Sequence, residues 1–380
     1  MGFLTTRNKC NLKTTRRLLL DMILEILILL PAKSVLRFKC VCKEWCNLIN
    51  NSLFAKLHLN KSLQSDSKHN RALFTTALHF VDDLYRPSRW IKLNWPKDII
   101  RTNSTCTEVV GSCNGLVCLK ITRGPDYTVK CFVICNPTTG TFKLILPSSD
   151  KNWRDYKSYG FGYDSEHDDY KIVVTNRVWT ENDIDVRVYS VKADLWSYPT
   201  PPPTTRVSSG RRWLNEQVIY RNKMLHYLLV SVKILGDNDY RIARFDVVTE
   251  KWIDDLNLPQ LRSQVYLEEL DGLLYLRGGN LSREVWMIEE DGSWKKMFRV
   301  PRKFQDNHRL IARSKDGRHR LLVQGNWNLK WYDHQANKTV PFTLRVSSRF
   351  YSSVMFCIAS LVTIPGCSSE KLHVNKEKGS

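Results

Sequence analysis

Apolar residues recur at helical spacing near the start of the chain and at alternating spacing from about residue 70 onward. This change of period divides the sequence into two regions. In the first, Met22, Ile23, Ile26, Leu27 and Leu30 fall on a helical stripe, and Asp21 and Glu25 stand one turn apart on the opposite, solvated face. Pro31 ends this predicted helix, because its ring blocks continuation and disfavours helical geometry just before it. Ser34 is placed to cap the next helix, whose apolar set is Val35, Leu36, Val41 and Trp45. A module of roughly 40 residues makes too small a core to bury itself. It is expected to cover its surface with a partner.

In the second region the pattern repeats. The recurring piece is a short apolar strand, a polar turn, a strand that opens with an aromatic residue, and often a Pro. It appears at 132–147, 186–201, 242–259 and 284–301, and in degraded form at 329–344. Each copy follows a further hairpin, with turns at Asn114-Gly115, 164–169, Asn222-Lys223, Asp271-Gly272 and Asp316-Gly317. Asn-Gly and Asp-Gly tolerate the positive φ that tight hairpins require. With Phe142, Trp196, Trp252, Trp294 and Val340 as equivalents, the steps are 54, 56, 42 and 46 residues. Four strands per unit at this spacing predict a propeller. A weaker unit at 71–96 lacks its first strand, and the apolar stretch 354–364 is expected to supply it and close the ring, hiding open sheet edges. A sandwich or two stacked sheets fits regular repeats less well. The expected architecture is α+β and multidomain: a small helical module, then an all-β, kelch-like β-propeller of about six blades. The divisions are a basic tail at 1–17, the helical module at 18–62, the propeller at 63–365 and a disordered tail at 366–380.

The string Pro31-x-Lys33-Ser34-x-x-Arg37-Phe38-x-x-Val41-Cys42-Lys43-x-Trp45 stands with Asp21, Glu25-Ile26-Leu27, Leu30, Leu36 and Leu48-Ile49. Together they resemble an F-box, the helical module by which ubiquitin-ligase substrate receptors dock onto a Skp-type adaptor. The chain departs from that pattern at Leu18-Leu19, where the family opens with Leu-Pro, and at Leu29, where the family carries Arg. The resemblance implies adaptor contacts through Leu18, Met22, Ile26, Leu27, Leu30, Pro31, Val35, Leu36, Val41, Cys42 and Trp45. The repeats resemble the plant F-box-associated domain, closely over about 105–260 and loosely beyond. Its carriers are residues 111–118, Asn136-Pro137-Thr138-Thr139-Gly140, 160–164, 168–173 and Val188-Tyr189-Ser190. The combination implies a non-catalytic adaptor within a Skp–cullin–F-box ligase. The F-box would dock the Skp-type adaptor, and through it a cullin–RING ligase, while the propeller holds a protein substrate for ubiquitination. A propeller-type enzyme or carbohydrate-binding protein with a helical N-terminal cap is the competing reading, and capture of the adaptor separates the two.

Composition narrows the partners. The chain has 380 residues, 42% of them hydrophobic, with 12 Trp, 15 Tyr and 14 Phe, which is ample for a packed core. Its eleven cysteines form no repeating framework, and Cys40-x-Cys42 with Cys46 lacks a second pair of zinc ligands. Several fall on apolar faces, where free Cys acts as a small hydrophobe. A reducing compartment, cytoplasm or nucleus, is expected. The net charge of +20 favours acidic partners. Nucleic acid is not the expected partner, because charge alone points to it. Ten Lys and Arg lie between 295 and 320, and strand alternation would send them to both faces, as on ordinary solvated strands. No membrane is expected either: Asp21 and Glu25 break the hydrophobic run, no small-x-small cleavage site follows, and the run falls short of the roughly 20 apolar residues a span needs.

No catalytic, cofactor or metal site is expected. Residues 164–169 lack the Gly at the sixth position of a calcium loop, and Thr175 stands where the bidentate Glu belongs. The nine histidines are scattered, and no H-E-x-x-H, G-x-S-x-G or phosphate-loop string is present. Recognition is expected on the long links 123–128, 147–158, 176–185, 199–216 and 302–307. In an up-and-down meander these share the rim opposite the tight turns. Trp153, Tyr156, Trp179, Arg212 and Trp213 on that rim are the candidate substrate-binding residues, since aromatic residues and Arg dominate interface hot spots.

Overall fold

The structure is a computed structural model. It describes residues 21–64, 71–75, 79–81, 91–94, 105–124, 128–148, 156–176, 185–200, 211–213, 218–231, 239–259, 265–270, 272–278, 284–289, 292–300, 309–313, 320–324, 329–333, 335–336, 338–341, 354–367 and 372–376. Four helices come first: 21–29, Ala32–Phe38, Lys43–Asn50 and Ser52–Gln64. Pro31 itself occupies the cap position of the second helix, with φ −56° and ψ 139°. Ser34 is therefore inside the helix, donating its backbone N–H to the Pro31 carbonyl, and is not the cap expected from sequence. Proline suits a helix start because the first N–H groups have no intrahelical partner. Cys42 breaks the run again: extended at φ −159°, it caps the third helix through its thiol, which accepts from the Trp45 N–H.

Six antiparallel sheets follow, and a hairpin meander builds four of them outright. Sheet II runs Thr105–Cys113, Leu116–Arg123, Thr128–Asn136, Thr141–Ile145, and sheet III runs Tyr156–Asp164, Asp169–Asn176, Val186–Ser190, Leu195–Ser197. Sheet V comprises Val265–Leu270, Leu273–Gly278, Glu284–Ile288 and Trp294–Arg299; sheet VI comprises Arg309–Arg313, Arg320–Gln324, Leu329–Asp333 and Lys338–Pro341. In sheet IV, Arg211–Trp213 and Ile219–Arg221 both pair with Met224–Ser231, at its far and near ends, followed by Asp239–Asp246 and Lys251–Asn257. Sheet I joins the two ends of the β region: Val354–Ile358, Arg71–Thr75, His79–Val81, Ile91–Asn94 and His373–Lys376.

Alternation explains why sheet II reads as nearly continuous apolar sequence. Leu116, Cys118, Phe132 and Ile134 pack toward sheet III with Tyr159 and Ile172, while Val117, Leu119, Cys131, Val133 and Cys135 pack toward sheet I with Leu93 and Cys357. Both faces are covered, so both sets must be apolar. The cysteines serve as small apolar side chains, and burial pushes the thiol of Cys131 up to about 11 and that of Cys357 up to about 12. Cations latch successive sheets together. Lys143 of sheet II reaches the Val191 carbonyl at 2.9 Å and Asp194 at 2.7 Å in sheet III, and Lys171 of sheet III reaches the Val247 carbonyl and Glu250 of sheet IV, each at 2.9 Å.

The innermost strands touch in a closed cycle: Val354–Ile358, Thr105–Cys113, Tyr156–Asp164, Ile219–Arg221, Val265–Leu270, Arg309–Arg313 and back to Val354–Ile358. They surround a cavity of about 80 Å³ lined by Ser112, Phe161, Tyr220, Glu268, Arg309 and Phe356, one from each sheet. The arrangement is propeller-like. The stretch 354–364, expected as a closing strand, is a strand only to Ile358, and the rest leaves the sheet. Residues 366–380, expected as a disordered tail, contribute the strand His373–Lys376, in which Val374 pairs with Leu93. Leu372 anchors it, buried and with its N–H on the Gly140 carbonyl at 2.7 Å. One apolar anchor within a Lys-rich stretch is too weak a periodic signal to read from sequence.

Candidate functional site

The first helix is apolar nearly all round, so it must cover two faces. Leu27 (1% exposed) and Val35 (0%) form the core of the helical module with Ile49, Phe54 and Ala55. Leu30, Leu36 and Trp45 pack half-buried at its margin, where Trp45 meets Phe38 edge-on at 5.6 Å between ring centres. A second stripe, Met22 (62% exposed), Ile26 (58%) and Leu29 (65%), faces outward. Val41, Leu53 and Leu57 are also exposed.

The adaptor residues expected from sequence therefore divide. Met22, Ile26, Val41 and Cys42 are accessible, and Pro31 is half-buried beside Leu30. Leu27 and Val35 are corrected to core residues, because their side of each helix packs inward. Leu18 lies outside the described residues. Leu29, Leu53 and Leu57, outside that set, are exposed as well. The spacing Met22–Ile26–Leu29 carried the signal, since it forms a stripe distinct from the one through Ile23, Leu27 and Leu30.

His58 lies wholly buried beside Phe54, and its Nε2 is 2.8 Å from the Leu30 carbonyl, so the Nε2–H tautomer donates there. Burial lowers its pKa, against a smaller raising effect of the Leu30 carbonyl.

The helical module sits on the tight-turn rim. Lys56 pairs with Asp168 in the 165–168 turn at 2.6 Å, and Ala359 and Leu361, just past the closing strand, enter the helical core. Four turns of this rim share one device. Asn136, Asp246 and Asp333 each end a strand, and each side-chain oxygen accepts from the backbone N–H groups two and three residues on. Asp164 does the same for Glu166 and His167. Burial alone would raise the Asp164 carboxyl, but Lys171 at 3.0 Å and the His167 contacts hold it down at about 2. Among the described residues, no group of three or more His, Cys, Asp or Glu is placed to hold a metal ion. No described helix is long and apolar enough to cross a membrane.

Of the candidates expected on the opposite rim, Trp153 and Trp179 lie outside the described residues. Tyr156 was expected in a link but begins a strand, opposite Asn176 at the end remote from the 165–168 turn. Arg212 and Trp213, also expected in a link, are in a strand that pairs with Val230 and Leu229 at the far end from Asn222-Lys223. The Pro-rich run at 199–203 hides the strand Arg211–Trp213 in the sequence. All three keep their place at that rim. In the basic stretch beyond residue 295, Lys295 pairs with Glu289 and Lys296 with Glu284. Trp196, Trp252 and Trp294, the aromatic residues of the recurring piece, pack against sheet cores.

Comparison with known families matches residues 17–57 to the F-box domain and residues 74–344 to the F-box associated beta propeller domain. An F-box/kelch-repeat protein of Arabidopsis thaliana is 30% identical over 305 residues, covering 74% of this chain and 79% of its own length. The F-box protein CPR1 of the same plant is 25% identical over 403 residues, covering 94% of this chain and 91% of its own. The first match spans helices of the N-terminal module and the second most of the ring of antiparallel sheets, and the chain belongs to the plant F-box proteins that carry an F-box associated beta propeller domain.

Proposed function

We propose that the chain is the substrate-recognition subunit of a Skp–cullin–F-box ubiquitin ligase, a non-catalytic receptor whose six sheets are the blades of a kelch-like propeller. The observation that carries this reading is the outward-facing Met22–Ile26–Leu29 stripe on a helical module whose own core is closed. Exposed apolar stripes of this kind mark partner sites, and an F-box implies a Skp-type adaptor as that partner. Because the module occupies the tight-turn rim, the opposite rim is left to hold a substrate. Its lysines would be brought close to the ubiquitin-loaded enzyme, and the contribution to rate is proximity.

Met22→Ala and Ile26→Ala are each expected to weaken capture of a recombinant Skp-type adaptor by roughly tenfold, as loss of an interface anchor does. Stability should stay within about 0.5 kcal/mol of wild type, since neither side chain packs inward. Unchanged capture by both variants would refute docking through this stripe. The full chain is the right reagent. A fragment of residues 1–60 lacks Ala359 and Leu361 and would expose the core they close. For substrate, replacing Trp153, Tyr156, Trp179, Arg212 and Trp213 together by Ala should remove partners from a proximity-labelling profile while adaptor capture persists. An identical partner profile would put recognition elsewhere.

A further inference from the structure

We infer that residues 359–367 form a strap that fixes the F-box to the propeller at one orientation, with Asn136, Lys56 and Asp168 as positioning residues for substrate presentation; this rests on the ligase reading above. The strap leaves the closing strand at Ile358 and alternates between two bodies. Ala359 and Leu361 enter the helical core, while Ser360 between them is fully buried against the propeller. Farther on, Ile364 enters the core between sheets II and III.

Asn136 ties this segment down. Its Nδ2 donates to the Ser360 carbonyl at 3.1 Å and the Val362 carbonyl at 2.9 Å. Its Oδ1 meanwhile accepts from the Thr138 N–H at 2.9 Å, so one amide holds both its own turn and the strap. Gly115 makes room from below. At φ +82°, any Cβ there would stand 2.3 Å from Ser360 Oγ and 2.4 Å from the Ile358 carbonyl. The second attachment is on another sheet. Lys56 of the last helix pairs with Asp168, which Tyr163 also holds through its hydroxyl at 2.6 Å. A module joined at one point can swing about it. Two attachments, one on the strap and one on the sheet III turn, remove that freedom. The adaptor stripe and the opposite rim are then held at a set separation.

The test is a distance measurement by pulsed electron resonance on the full chain, free and bound to a recombinant Skp-type adaptor. Non-natural spin-labelled residues replace Asn60 on the last helix and Lys338 on sheet VI, both exposed. Wild type should give one narrow distance distribution. Asn136→Asp keeps the turn acceptor but removes the donor to the strap, and Lys56→Glu reverses the exposed pair. Each should broaden the distribution severalfold, and Lys56→Arg should restore it. The Lys56 pair is half-exposed and contributes little to stability, so broadening without a change in unfolding temperature reports position alone. Narrow distributions in both Asn136→Asp and Lys56→Glu would overturn the proposal. Failure of the wild-type chain to bind adaptor would instead sink the ligase reading, with the free-chain distances still deciding this one.

Discussion

Deletion of residues 354–380 is expected to leave the chain insoluble and without adaptor binding. Three losses coincide. Arg71–Thr75 loses its pairing partner Val354–Ile358, and the innermost strand of sheet I disappears from the cycle, exposing sheet edges that template aggregation. Leu361, Ile364 and Leu372 leave three separate cores. At about 1.5–3 kcal/mol for each buried side chain, their loss approaches the roughly 5–15 kcal/mol that holds a typical protein folded. The helical module loses its cover at Ala359 and Leu361 as well, so adaptor capture should fail even in any fraction that stays in solution. Soluble yield, thermal unfolding and adaptor pull-down measure the outcome. A control truncation after Lys376, which removes only residues beyond the last strand, should behave as wild type. A soluble 1–353 chain with unchanged unfolding would show that the ring does not need its closing strand.

Period and turn chemistry made the β region legible from sequence. The hairpins around Asn114-Gly115, Asn222-Lys223 and 164–169 form where those dipeptides and carboxylates stand, with Asn114, Asp168 and Asn222 all at positive φ. The equivalence of Phe142, Trp196 and Trp252 also holds, since each is second in the outermost strand of its sheet. What could not be read is where the two ends of the chain go. Contacts between residues 136 and 360, or 56 and 168, leave no periodic trace, because each uses one side chain on a turn or an irregular segment. The apolar set of the helices divides between core and surface for a related reason. Spacing shows that Met22, Ile26, Leu27 and Val35 are apolar, but which apolar face turns inward depends on Phe54, Ala359 and Leu361, and Ala359 and Leu361 lie more than three hundred residues away. Arg212 and Trp213 read as loop because the Pro-rich run before them hides a strand of three residues, and Tyr156 reads as loop because it is only the first residue of its strand.

Acidification from pH 7 to about 4 is expected to cost the folded chain about 3 kcal/mol through His226 alone, with a further loss through His58. His226 is buried in sheet IV, where its Nδ1–H donates to the Ile219 carbonyl at 3.2 Å. Burial lowers its pKa from 6.5 to about 4, and Arg244 and Arg221 push in the same direction. Between those values the unfolded chain carries a proton on this ring that the folded chain refuses. Stability is therefore fully present above about pH 6.5 and falls as pH drops toward 4, at 1.36 kcal/mol for each pH step, levelling off below the folded pKa. His58 has the same sign. Its lowered pKa makes the helical module, held through the Leu30 carbonyl, the second acid-sensitive element. Asp164 works in a lower window: its carboxyl, at about 2, withdraws its contribution only as pH falls below 3.8. Urea unfolding between pH 7 and 4.5 measures the slope. His226→Asn, which keeps a donor near the Nδ1 position without a titrating ring, should flatten the larger part of it. An equal acid slope in wild type and His226→Asn would show that this ring accepts its proton in the folded state, and would remove the buried histidine as the cause.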